Sequence, residues 1–164
     1  MNSITEDSEG DLWYGTNNGI SLQDSKTGKW RLVSESPLRM YQNSKNHIFT
    51  TLCEVSPGII WAGGYFSGLY QIDKRTSKTT YFTPASYAHE SIRPDKYIRD
   101  IRKDSRGYVW SGGYYNLKRI NVQTKDIRLY HGLHSVTAII EKDEKYVDRY
   151  GNRPVSSGYR IREI

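Results

Sequence analysis

The stretch Ile4-Thr5-Glu6-Asp7-Ser8-Glu9-Gly10-Asp11-Leu12-Trp13-Tyr14-Gly15-Thr16-Asn17-Asn18-Gly19-Ile20 decides how this chain is read. A strand-like opening passes through an acidic, glycine-bearing turn into Leu12-Trp13-Tyr14-Gly15, and a further strand-like run starts at Gly19. The triplet returns as Trp61-Ala62-Gly63 and as Trp110-Ser111-Gly112, after 48 and 49 residues. Self-similarity at a fixed period of this length marks an array of stacked structural units. A motif present in every unit is scaffold, so chemistry has to be sought in what differs between copies.

The middle copy serves as template. Ile48-Phe49-Thr50-Thr51-Leu52-Cys53-Glu54 is rich in β-branched and aromatic residues, and Ser56-Pro57-Gly58 supplies turn chemistry. Ile59 to Gly63 reads as a second strand. Gly68 to Asp73 alternates as a third, with Leu69 and Gln71 on one side and Tyr70 and Ile72 on the other. Lys74 to Lys78 is a polar turn and Thr79 to Phe82 a fourth strand. Four short antiparallel strands in roughly 40–50 residues match a propeller blade. Blades are expected at about 4–32, 48–82 and 97–130, with the start of a fourth at 134–145. Asn116 stands where the other copies have Gly19 and Gly68, which suits a left-handed backbone position. No stretch shows helical periodicity. The expected fold is all-β, with three four-stranded β-propeller-type blades and part of a fourth in an incomplete ring.

Residues Ile4 to Ile20 closely resemble the two-component regulator propeller repeat, an Ile/Val-rich strand, an acidic-Gly turn, Leu-Trp-x-Gly-Thr and then Gly-Leu. The resemblance runs from about Ile4 to Glu144, with Gly64 and Gly113 replacing the motif threonine of Thr16. It implies the periplasmic sensor domain of a hybrid two-component system, in which propellers precede a β-sandwich, a membrane helix and a histidine kinase. It further implies an oligosaccharide signal and a homodimer formed through a longer parent sensor. Trp13, Gly15, Gly19, Trp61, Gly63, Gly68, Trp110 and Gly112 are the structural motif residues.

Three blades do not close a ring, which usually has about 4–8, and each unit needs neighbours or caps to bury its apolar faces. The 164-residue chain therefore reads as a piece of a longer array, or as a module that closes by oligomerising. No charged and apolar leader precedes the first blade, and no run of 18 apolar residues occurs. Expressed as given, the chain would stay in the cytoplasm, whereas the resemblance places its parent in the periplasm. The single Cys53 excludes an internal disulfide and reads as a small hydrophobe in a strand.

After Lys145 the repeat pattern fails. His134 to Asp143 parallels Tyr97 to Asp104, yet Tyr146-Val147-Asp148-Arg149-Tyr150-Gly151 follows where a Leu-Trp-x-Gly-Thr belongs. Suitable codons for Lys145 to Tyr159, read one nucleotide later, give Asn-Met-Trp-Ile-Gly-Thr-Ala-Thr-Gly-Leu-Tyr-Leu-Leu-Asp, the missing motif in register. Residues 146–164 are accordingly expected to be a frameshifted, non-propeller tail; a natural polar terminus is the plainer reading.

Tyr65-Phe66 and Tyr114-Tyr115 follow the two Gly-Gly pairs at equivalent places. Aromatic faces there suit sugar rings, and Arg119 with Lys118 would hold carboxylate or sulfate groups. The expected ligand-binding residues are Tyr65, Phe66, Tyr114, Tyr115 and Arg119; the bland alternative is that these rings pack between blades. His89-Glu90, in the long link Ser86 to Asp95, lacks further ligands at metal spacing and reads as surface loop, and His47, His131 and His134 read as turn or cap residues. The formal net charge is +6 and the pI about 9.3. Basic residues are nonetheless spread among acids, so no nucleic-acid footprint is expected. No catalytic motif occurs; the chain is expected to be neither an enzyme nor a carrier of metal or cofactor. Asp7, Asp24, Asp73 and Asp104 recur at turns, where Asp side chains favour local backbone hydrogen bonds.

Overall fold

The computed structural model describes residues 1–34, 48–65, 68–81, 97–114, 116–130, 135–142, 145–147 and 154–155. Leu12-Trp13-Tyr14-Gly15-Thr16 forms β2 (Leu12–Thr16), between β1 (Ser3–Glu6) and β3 (Gly19–Gln23), with β4 (Trp30–Ser34) at the edge. The second unit repeats this order with β5 (Ile48–Ser56), β6 (Ile59–Tyr65), β7 (Gly68–Asp73) and β8 (Thr79–Tyr81). The third uses β9 (Ile98–Lys103), β10 (Tyr108–Gly113), β11 (Leu117–Asn121) and β12 (Ile127–Tyr130). Each unit is an antiparallel meander in chain order. A three-stranded sheet follows, built from β13 (Ile140–Lys142), β14 (Lys145–Val147) and β15 (Pro154–Val155). Strand β14 thus runs across the boundary expected after Lys145. Of the tail, only Tyr146, Val147, Pro154 and Val155 fall among the described residues.

The sheets stack face to face through three apolar layers. Trp13, Ile20 and Leu22 of the first unit meet Phe49, Leu52, Ile60, Ala62, Tyr70 and Ile72 of the second. Trp61 and Leu69 point the other way and meet Ile98, Ile101, Val109 and Ile120 of the third. Trp110, Leu117 and Tyr130 then pack on Val136 and Ile139. The middle sheet is buried on both faces, which is why its third strand places Leu69, Tyr70 and Ile72 all out of water. The first unit leaves one face open: Ile4, Trp30 and Leu32 are 51%, 57% and 53% exposed.

Gly63 and Gly112 lack side chains because the leading segment of the next unit crosses them. A methyl group on Gly63 would lie 2.6 Å from Ile98 Cγ2, and one on Gly112 would lie 2.5 Å from Val136 Cγ1. The loss of the motif threonine has a similar cause. Thr16 closes its own turn, its hydroxyl donating to the Gly19 carbonyl at 2.9 Å and accepting the Asn18 N–H at 3.0 Å. At Gly64 any side chain would run into the Ile48 carbonyl group.

The turn aspartates do what their spacing predicts. Asp7 Oδ1 accepts the Glu9 and Asp11 N–H groups, both at 3.0 Å, and Asp7 Oδ2 accepts Trp13 Nε1–H at 2.8 Å. Asp104 repeats this on Arg106, Tyr108 and Trp110. Val55 occupies the same place six residues before Trp61. Asp24 and Asp73 each accept two backbone N–H groups of the following turn, and Asn121 does so in the third unit. One expectation is corrected. Gly19 and Gly68 have φ of +127° and +70°, but Asn116 does not adopt positive φ. Its turn is closed by a Gly113 N–H to Asn116 carbonyl bond of 3.1 Å, so no left-handed residue is needed there.

Candidate functional site

Tyr65 ends β6 and Tyr114 directly follows β10, one repeat apart at the same end of neighbouring sheets. Between them runs the chain that enters the third unit. Tyr97, just before β9, forms an antiparallel bridge to Tyr65, and its carbonyl accepts the Tyr114 N–H at 3.2 Å. The rings follow the backbone. Tyr65 and Tyr97 meet edge to face at 5.9 Å between centroids, and Tyr97 and Tyr114 lie 6.2 Å apart, tilted by 54°.

Arg99 completes the group. It lies two residues after Tyr97, at the β-bulge where β9 passes Gly112 and Gly113. Its guanidinium carbon lies 6.0 Å from the Tyr65 centroid and 5.9 Å from the Tyr114 centroid. Such contacts let the π-faces stabilise the cation. Arg99 Nε is buried and has no hydrogen-bond partner among the described residues. The neighbouring acid is committed elsewhere: Asp100 Oδ2 accepts the Ile139 N–H at 2.6 Å, and Asp100 Oδ1 lies 3.3 Å from Arg102 Nε. Burial, only partly countered by these two groups, raises the Asp100 carboxyl above the usual carboxylate range. Tyr114 is 47% exposed, while Tyr65, Tyr97 and Arg99 are half-buried.

Of the ligand residues expected from the sequence, Tyr65 and Tyr114 come together in this cluster. Phe66 and Tyr115 lie outside the described residues, as do His47, the His89-Glu90 link, His131 and His134. Arg119 sits on the Trp110 face of β11, its guanidinium 4.5 Å from the Tyr108 centroid and 6.0 Å from that of Trp110. Lys118 is buried, on the opposite face of that strand. Tyr97 and Arg99 were not among the expected residues. The signal was the Tyr97-x-Arg99 spacing at the entrance to a first strand, one period from Ile48 and Thr50.

At the opposite end of the sheets, Lys74 of the second unit enters the turns of the first. Its Nζ lies 2.7 Å from Asp7 Oδ2, 2.6 Å from Glu9 Oε2 and 2.9 Å from Asp11 Oδ2. Burial opposes the Lys74 charge, but hydrogen bonds to the three carboxylates outweigh it and raise its pKa. The Ser25 N–H and then Lys74 hold Asp11 down to about 2. Burial works against Asp7 ionisation, yet Lys74, Trp13 and two backbone N–H groups bring its pKa below normal. An open groove of about 1020 Å³ lies alongside, lined by residues that include Trp30, Arg31, Asp73 and Lys74. Arg31 crosses it to Ser77 Oγ at 2.8 Å and the Lys74 carbonyl at 3.0 Å. This end is spanned by inter-unit bonds. Glu54 adds another clamp, accepting from Ser8 N–H, Ser8 Oγ–H and Gly58 N–H, and Glu141 accepts from Ser105 in the same way.

Among the described residues no group of three or more His, Cys, Asp and Glu side chains is arranged to hold a metal ion. No described helix is long and apolar enough to cross a membrane.

Four-stranded antiparallel sheets stacked at a 48–49-residue period define a β-propeller-type array. The family model described as "Two component regulator propeller" matches residues 1–18. No curated protein matches the chain in sequence. Among solved structures, the chain is similar to the extracellular domain of the hybrid two component system BT3049 from B. thetaiotaomicron. Identity there is 20% and the TM-score 0.67, over 99% of this chain and 22% of that one. Two structures of the extracellular domain of BT4673 from B. thetaiotaomicron, described once as a one component and once as a hybrid two component system, give TM-scores of 0.65 and 0.62. Their identities are 17% and 18%, over 91% and 99% of this chain and 20% and 25% of those. The chain thus spans a fifth to a quarter of the length of the extracellular domains it resembles.

Proposed function

We propose that this chain is part of a ligand-sensing propeller in the periplasmic portion of a hybrid two-component regulator, and that the signal is an oligosaccharide. The observation that carries the reading is the line of three tyrosines, Tyr65, Tyr97 and Tyr114, stitched across two units at one end of the sheets. Sugar rings present axial C–H groups that pack on π-faces, while their hydroxyls seek polar neighbours. The family match over residues 1–18 and the likeness in fold to extracellular sensor domains support the setting. The role is recognition rather than catalysis, with transmission left to parts of a longer parent.

The test is calorimetric titration of the chain with a panel of neutral and acidic oligosaccharides, repeated with Tyr65→Ala/Tyr114→Ala. Binding lost with an unchanged unfolding transition supports the reading. Unchanged binding in the double variant, or no binding to any member, overturns it.

A second reading rests on the open face of the first unit, where Ile4, Trp30 and Leu32 are exposed together. A propeller-type binding module could cover that face by oligomerising. Sedimentation equilibrium separates the two: a discrete ring-sized oligomer favours this second reading, and a monomer favours the first.

A further inference from the structure

We infer that Arg99 makes the tyrosine site selective for acidic sugars, so that its ligand is an oligosaccharide bearing a carboxylate or sulfate; the inference rests on the reading of that site given above. Among the described residues, Arg99 is the cation that lies against these rings, with Tyr65 and Tyr114 at 6.0 and 5.9 Å. It forms no ion pair with a described residue, and its buried Nε has no described partner. An unpaired buried donor is costly to leave unmet, and a cation stacked on aromatic rings gains only part of what a counter-ion supplies. Asp100 follows it in sequence but turns its carboxylate to the Ile139 N–H and Arg102. Asp100, its neighbour in sequence, is thus committed to other partners.

The other units do not share this arrangement. Thr50 holds the corresponding place in the second unit and donates to the Ile98 carbonyl at 3.0 Å, a bond between units. Asn2, in the first, donates to Asn17 Oδ1 at 2.8 Å. Both equivalents hydrogen-bond to other groups of the protein. Only the third unit puts a cation there, flanked by rings that give a sugar ring its apolar contact. A guanidinium matches planar carboxylate and tetrahedral sulfate with paired N–H donors. A neutral sugar would leave the Arg99 charge uncompensated, so the site discriminates by charge and not only by shape.

The experiment titrates the 164-residue chain with galacturonate trisaccharide, its methyl-esterified form, a sulfated galactose trisaccharide and unsulfated galactotriose, using wild type, Arg99→Gln and Arg99→Lys. At least one acidic member should bind more tightly than its neutral twin. That preference should fall about tenfold or more in Arg99→Gln and be partly kept in Arg99→Lys, since a charge-assisted bidentate contact is lost in one and only its fork in the other. Whichever acid binds distinguishes carboxylate from sulfate. Thermal unfolding of each variant is read alongside; if Arg99→Gln fails to fold, Arg99→Lys and the salt dependence of wild-type binding decide. Equal binding of acidic and neutral twins, or an acidic preference unchanged in the Arg99 variants, overturns the inference. Tyrosine-dependent binding of neutral members alone also overturns it but leaves the glycan-sensing reading standing. Absence of binding to every member overturns both.

Discussion

Lys74 Nζ sits 2.7 Å from Asp7 Oδ2, joining the second unit to a carboxylate whose side chain is wholly buried in the first. Asp7 also receives the Trp13 indole N–H, so a single carboxylate ties a turn, a core tryptophan and a neighbouring sheet together.

Replacing Lys74 by Met should destabilise the chain by about 3 kcal/mol, because it strands a buried carboxylate without its counter-charge. Exposed Glu9 adds little to this figure. The depressed Asp7 and Asp11 set the pH dependence. Stability from depressed carboxylates is fully present above the ordinary Asp pKa of about 4 and is lost as pH falls toward 2. The wild-type advantage in urea denaturation should therefore shrink across that window. A constant difference would separate Lys74 from the carboxylates.

Asp100 should behave in the opposite sense. Its pKa is raised by burial, so the stability it contributes is present below about pH 4 and lost as pH rises through its folded value. Asp100→Asn can still accept the Ile139 N–H, and it should match or exceed wild type at pH 7. The two should converge in acid. Thermal unfolding at pH 3 and pH 7 reads this directly, and a variant weaker at pH 7 would show that the Arg102 contact outweighs burial.

Gly63→Ala should cost about 2 kcal/mol through overpacking, since the new methyl meets Ile98 Cγ2 at 2.6 Å and Ile98 Cβ at 2.8 Å. Equilibrium denaturation gives the value. A cost near zero would mean that the inner strand of the third unit shifts freely.

Lys125→Gly should stabilise the chain by about 0.5 kcal/mol. Lys125 has φ of +62° where Gly28 has +67° in the first unit's equivalent turn. The left-handed strain relieved, about 1 kcal/mol, exceeds the roughly 0.5 kcal/mol of unfolded-chain entropy that glycine adds. A midpoint moving down in denaturant would contradict this.

Much of the architecture was legible because it is local and periodic. Trp13, Trp61 and Trp110 announce their strands through the flanking residues, and the turn aspartates accept backbone and indole N–H groups within six positions of themselves. The site was half legible. Tyr65 and Tyr114 stand out because they repeat as aromatics, whereas Tyr97 and Arg99 replace Ile48 and Thr50 of the preceding unit and reach Tyr65 only through packing between units. Lys74 read as one residue of a polar turn, because its partners lie more than sixty positions away in the preceding unit. Arg119 looked equivalent by nearness in sequence to Tyr114. Alternation along β11 instead turns it to the Tyr108 face.

The crossings at Gly63 and Gly112 carry one more consequence. Where sheets meet over a bare backbone, their separation is set by hard contact and not by the strength of an attraction. The pitch of the array is then nearly indifferent to salt and acidity, while the polar clamps at its rim respond to both. An absent side chain works as a ruler, and it leaves the charged residues free to vary from one repeat to the next without altering the geometry that presents the tyrosines.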